Sequence, residues 1–120
     1  IIAAGTMVYV SLEAADILLE QGISATVVNM HTIKPIDTSM IEKACESSKL
    51  IVTVEEHSTI GGLGSAVAEY KATLKNTPSQ FFIGLPDNHG KAGEYKDLLE
   101  KHGLTAIQIA KGIVNQYERV

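Results

Sequence analysis

Short apolar runs and segments of helical period take turns along this chain from one end to the other, and few architectures accommodate that alternation. The runs at 1–4, 25–31, 50–55 and 80–84 are rich in Ile, Val or Phe and carry too few polar alternations for a half-exposed sheet. They predict strands buried on both faces. The expected fold is α/β, a three-layer α/β/α arrangement with a mainly parallel sheet of four visible strands.

Between the first two runs, Met7, Val10, Ala14, Ile17 and Leu18 recur at steps of three and four, which lays one apolar stripe along a helix that Gly22 ends. Lys34-Pro35-Ile36-Asp37-Thr38 supplies a turn and a helix cap, with Met40, Ile41, Ala44 and Cys45 as the next buried face. Past the third strand, Leu63, Ala66, Val67, Tyr70 and Leu74 return to helical spacing after a glycine-rich turn. The fourth strand runs into an irregular loop, Leu85 to Gly93, marked by glycine, proline and Asx residues. Two helices then close the chain. The first carries Tyr95, Leu98 and Leu99 and stops at Gly103, and the second opens on Thr105-Ala106-Ile107-Gln108, which fits a capping box.

A chain of 120 residues, 45% of them hydrophobic, suffices for one core and not for two ordinary domains, so residues 1–120 read as one domain. Its ten Lys and Arg are scattered and its formal charge is −4, which speaks against nucleic acid or an anionic membrane as partner. No apolar run approaches the roughly 20 residues that span a bilayer. The one cysteine, Cys45, cannot form an internal disulfide and reads as a small buried hydrophobe. A cytoplasmic location is the expectation. Because the chain opens inside an apolar strand pattern, at Ile1-Ile2-Ala3-Ala4-Gly5, it reads as a piece of something longer.

In an open parallel sheet ligands sit at the carboxyl edge, where the strand order reverses. Gly5-Thr6 follows the first strand, and Glu55-Glu56-His57 with Gly61-Gly62-Leu63-Gly64-Ser65 follows the third. That glycine turn resembles half a phosphate cradle at a helix start, yet it fits neither dinucleotide nor P-loop spacing and lacks the P-loop lysine. A turn that lets helix and strand pack closely is the alternative. Glu55, Glu56 and His57 form the densest ionisable cluster, but neighbours on a strand point to opposite faces, so the two glutamates should not cooperate and His57 should share a side with Glu55. They read either as an acid-base group or as strand-end residues that anchor a loop or face a partner. His31, His89 and His102 show no metal-ligand spacing, and no nucleophile signature appears. From the residues alone there is no assignable catalytic, cofactor or metal ligand. What remains is a candidate crevice or interface made of Gly5, Thr6, Glu55, Glu56, His57, Gly61, Gly62, Gly64 and Ser65.

Two stretches carry a family resemblance: Val27-Val28-Asn29-Met30-His31-Thr32-Ile33-Lys34-Pro35-Ile36-Asp37, and Ile51 to His57 running on through Gly61-Gly62-Leu63-Gly64-Ser65-Ala66-Val67-Ala68-Glu69. Together with the tail from Leu98 to Thr105 they resemble the carboxy-terminal domain of transketolase, above all the split form in which the two halves are separate polypeptides. The wider group includes deoxyxylulose-phosphate synthase and the beta subunits of 2-oxo acid dehydrogenases, while Asn29-Met30-His31-Thr32 and Glu56-His57 look most like transketolase. Where the family loop reads D-x-F-G-x-S-G, His89 and Ala92 replace Phe and Ser, and Asp87, Gly90 and Gly93 keep the pattern.

The resemblance implies a transferase of the pentose phosphate pathway that moves a two-carbon ketol unit between sugar phosphates. Thiamine diphosphate and its divalent metal (Mg) would be held by the pyrophosphate-binding and pyrimidine-binding domains or subunits of the parent, both absent here, and the parent would be a homodimer. It also implies strand order 2-1-3-4, which puts the crevice between the first and third strands, where Gly5-Thr6 and Glu55–Gly62 meet. Two other readings stand beside it: a regulatory module whose glycine turn holds a nucleotide or phosphorylated metabolite, and, ranked last, carbon-chain chemistry by Glu55 and His57.

Overall fold

Four parallel strands lie in the order β2-β1-β3-β4. The computed structural model describes residues 1–58, 61–85 and 99–120, without the side chains of His57 and Ser58. Residues 59–60 and 86–98 lie outside the description, and with them the Asp87–Gly93 loop and the helix positions Tyr95 and Leu98. The elements are β1 (Ile2–Ala3), α1 (Met7–Glu20), β2 (Val28–Asn29), α2 (Thr38–Ser47), β3 (Leu50–Ser58), α3 (Leu63–Lys71), β4 (Ser79–Leu85) and α4 (Ala106–Tyr117). Order and direction agree with the family pattern.

Strand lengths do not follow the apolar runs. β3 and β4 pair over most of their length, from Leu50 opposite Ser79 to Ser58 opposite Leu85, whereas β1 meets β2 at two positions only, Ile2 with Val28 and Ala3 with Asn29. The runs at 1–4 and 25–31 therefore overstate the ladder, because an apolar stretch records burial while pairing needs a partner in register. Met30 still reaches the sheet by donating its N–H to the Ala3 carbonyl at 2.8 Å.

Both faces are covered. Met7, Ala14 and Leu18 of α1 and Ile109, Ala110 and Ile113 of α4 pack on Ala3, Val52, Val54, Ile83 and Leu85. On the other side Ile41 of α2 and Leu63 and Val67 of α3 pack on Ile2, Val28, Met30 and Ile51. The first helix buries Ser11 where its apolar stripe predicts nothing, and Val10 and Ile17 flank the core half-buried. Cys45 is half-buried rather than enclosed, at the margin of the second cluster.

Helix ends follow local chemistry. Gly22, at φ +82°, ends α1 with Ile23 N–H bonded to Leu18 O at 2.9 Å and Gly22 N–H to Leu19 O at 3.0 Å, the bond pair of a Schellman motif. The same pair recurs at Gly103, φ +73°, between Leu104 and Leu99 and between Gly103 and Glu100. Asp37 caps α2 through the Met40 N–H at 3.1 Å. Thr105 and Gln108 form the capping box at the start of α4.

Candidate functional site

The central strand decides which side chains reach the carboxyl edge. Ile51 lies in the α2–α3 cluster and Val52 and Val54 in the α1–α4 cluster, so the alternation turns Thr53 and Glu55 toward α3 and Glu56 away from it. Glu55 is 4% exposed and Glu56 is exposed, so the two carboxylates do point apart. Pairing with β4 becomes irregular between Val54 and Ser58, as happens where a strand leaves the sheet to re-aim its side chains.

Glu55 turns onto the first turn of α3. Its Oε1 accepts the N–H of Leu63 at 2.7 Å and its Oε2 the N–H of Gly64 at 2.8 Å. Below it Gln80 Nε2 donates to the Gly64 carbonyl at 2.9 Å and to Thr53 Oγ1 at 3.3 Å, tying β4 to the same turn. Gly61, at φ +77°, donates its N–H to Ser65 Oγ at 2.9 Å and closes the loop. A Cβ on Gly64 would lie 2.5 Å from Phe82 Cδ2 and 2.9 Å from Thr53 Oγ1, so this glycine is there for close packing of helix on sheet.

Between β1 and β3 a cleft of about 290 Å³ opens, lined by Ala4, Gly5, Ile33, Glu55, Glu56, Gly61, Gly62 and Leu63. Five of the nine candidate residues thus meet there. Thr6 is exposed at the start of α1, Gly64 is packed under the helix, Ser65 serves the turn, and the His57 side chain lies outside the described residues. Ala4, Ile33 and Leu63 were not among the candidates, since apolar residues carry no chemical signal. A second cleft of about 570 Å³ shares Ala4, Gly5 and Ile33 and runs along Val8, Tyr9, Leu12 and Met30. Its wall is mostly apolar, with Asn29 and His31 as polar members, and open: Tyr9 is 75% and Leu12 48% exposed.

Burial shifts two groups on the α2–α3 side of the sheet, and a hydrogen bond to Glu42 shifts a third, Tyr70, upward. Lys71, the last residue of α3, is buried, and loss of hydration holds its ammonium below the ordinary lysine range. Burial likewise pushes the Cys45 thiol up, the direction of an inert rather than an activated thiol.

The family model for the transketolase C-terminal domain matches residues 1–109. A Methanocaldococcus jannaschii protein that bears the name of a transketolase C-terminal section is 45% identical over 119 residues, 99% of this chain and 37% of the relative. A 1-deoxy-D-xylulose-5-phosphate synthase of Chlorobium luteolum is 40% identical over 115 residues, 96% of this chain and 18% of that enzyme. Among solved structures, a split-gene transketolase described as an inactive beta4 tetramer superposes with a TM-score of 0.87 at 39% identity, over 95% of this chain and 37% of that one. The chain thus spans little more than a third of its split-type relatives and under a fifth of the synthase. With the family match over most of its length, the doubly wound 2-1-3-4 sheet and the close superposition, the chain belongs to the transketolase C-terminal domain family.

Proposed function

We propose that this chain serves as the non-catalytic assembly domain of a split-type transketolase, a dimeric cytoplasmic enzyme that moves a two-carbon ketol unit from a ketose phosphate to an aldose phosphate. Thiamine diphosphate would supply the carbanion for that transfer. The cofactor and its magnesium ion would be bound by the pyrophosphate-binding and pyrimidine-binding parts of the enzyme, and the dimer would be built with them. One observation carries the reading: among the described residues, the glycine-rich helix start at the carboxyl edge is already bonded to Glu55, within a chain of this family.

The described residues at the carboxyl edge do not fit the cofactor. A diphosphate needs unclaimed donors and its metal needs oxygen or nitrogen ligands brought together. Leu63 and Gly64 have given their N–H groups to Glu55, and among the described residues no three His, Cys, Asp or Glu side chains converge. No step of the reaction is therefore assigned to the described residues. The domain's open, mostly apolar wall at Tyr9 and Leu12 suits a part that is completed by other polypeptide.

The test is reconstitution. The chain alone, with thiamine diphosphate and magnesium, should show no ketol transfer, and activity should appear only when the cofactor-binding parts are supplied. Turnover by the chain alone would sink the reading. The likeness to the synthase of Chlorobium luteolum supports a second one, in which the same domain serves an enzyme making 1-deoxy-D-xylulose-5-phosphate. Assaying the reconstituted enzyme for both products separates the two.

A further inference from the structure

The carboxyl edge of an open parallel sheet is where a ligand is ordinarily found, and a helix that starts there after glycines is where an anion would be held. In this chain those donors have a partner. α3 has nine residues, and its first two amides both end on one carboxylate, with one oxygen of Glu55 for each N–H at 2.7 and 2.8 Å. These are charge-assisted bonds at the positive end of the helix dipole. The carboxylate is 4% exposed, and among the described residues it is paired with no cationic side chain, so the helix start itself compensates the buried charge. Two residues further on, the amide of Ala66 goes to the Gly62 carbonyl at 3.0 Å, and Gly61 N–H goes to Ser65 Oγ at 2.9 Å.

We propose that the amino terminus of α3 is an oxyanion site whose resident occupant is the chain's own Glu55, and that this occupancy bars phosphorylated ligands from the carboxyl edge of the sheet. An incoming phosphate would compete with a carboxylate tethered eight residues away, which is always present at high effective concentration. It would also approach past the exposed Glu56 on the wall of the same cleft, and like charges facing each other oppose binding. The glycine turn that reads as a phosphate cradle is thereby turned inward. It fastens the end of β3 to the start of α3 and fixes the shape of the cleft between them. The inference goes beyond the assembly role and does not depend on it.

The experiment follows thermal unfolding of the whole protein and of its Glu55→Ala and Glu55→Gln variants, with inorganic phosphate or acetate added against chloride at equal ionic strength. The parent protein should respond to phosphate no more than to chloride. Glu55→Ala should melt lower by about 10 °C, and acetate and phosphate should recover part of that loss saturably, while chloride should not. Glu55→Gln keeps the shape of the side chain and leaves no space for an added anion, so it should show a smaller loss and no recovery. Should Glu55→Ala not fold, amide hydrogen exchange on Glu55→Gln decides: exchange at Leu63 and Gly64 should quicken several-fold while the later amides of α3 are unchanged. Phosphate stabilising the parent as much as the alanine variant would overturn the proposal. So would an alanine variant that recovers nothing, or unchanged exchange at those two amides. None of these readouts measures ketol transfer, so the reconstitution assay tests the assembly role separately.

Discussion

Gly64 sits where Phe82 leaves no room for a side chain: a Cβ built there would stand 2.5 Å from the Cδ2 of the ring and 2.9 Å from Thr53 Oγ1. Phe82 is 39% exposed and its ring can swing outward, but Thr53 is fully buried and held by Gln80. Gly64→Ala should therefore destabilise by about 1–3 kcal/mol. Gly112 in α4 makes the comparison, since its Cβ would meet Phe81 Cε2 at 3.3 Å, a contact that a small ring movement relieves. There the gain of about 1 kcal/mol for alanine over glycine in a helix offsets the adjustment, and Gly112→Ala should end near zero. Denaturant unfolding of the two variants checks the contrast; equal effects would mean that close packing at Gly64 is not what excludes a side chain.

Lys71 gives a pH dependence whose sign is fixed by burial. Its folded-state pKa lies below 10.5, so the fold disfavours the ammonium. The penalty is complete below the depressed value and is released as pH rises through it toward 10.5, so this group makes the protein gain stability on the alkaline side of neutral. Lys71→Met keeps the buried stem and removes the charge. It should be more stable than the parent at neutral pH by about 1 kcal/mol and should lack the alkaline gain. Melting temperatures over that pH range measure both.

Tyr70 donates to Glu42 Oε1 at 2.6 Å, bridging α3 and α2. That hydrogen bond raises the phenol above its ordinary value of 10.0, since ionising Tyr70 would set two negative charges together and remove the donor. The bridge therefore stabilises the fold below pH 10.0 and is lost as pH climbs through the raised value. Glu42→Gln should bring the Tyr70 midpoint back down in an ultraviolet titration. An unmoved midpoint would assign the shift to something other than the carboxylate.

At the start of α4, Gln108 N–H reaches Thr105 Oγ1 at 3.3 Å and the Gln108 side chain returns to the Thr105 N–H at 3.3 Å. Thr105→Ala should cost about 1 kcal/mol, and Thr105→Ser should recover most of it. The alternative, equal stability of all three, would show up in the same unfolding curves.

That capping box was readable in the sequence because everything it needs lies within four residues. The same holds for the Gly22 and Gly103 stops and for the Asp37 cap, and the strand order follows from the family pattern. Ser11 and Lys71 could not be read this way: both are buried by what packs across from them, against the tendency of their own residue types. The crevice was legible as a place, through Gly5 and the Glu55–Gly62 segment. The task of Glu55 was not. The alternation along β3 says that Glu55 and Glu56 part, but only the placement of α3 over the strand end says that one of them meets two amides.

Those two amides belong to the main chain, which every residue but proline supplies. The side chain of Leu63 is constrained by the core and the absence of one at Gly64 by Phe82, neither of them by the carboxylate they hold. A scan of single substitutions would therefore register this link at one end only, at Glu55. Its other half would be silent to genetics, visible to a proline at 63 or to an amide-to-ester replacement and to little else.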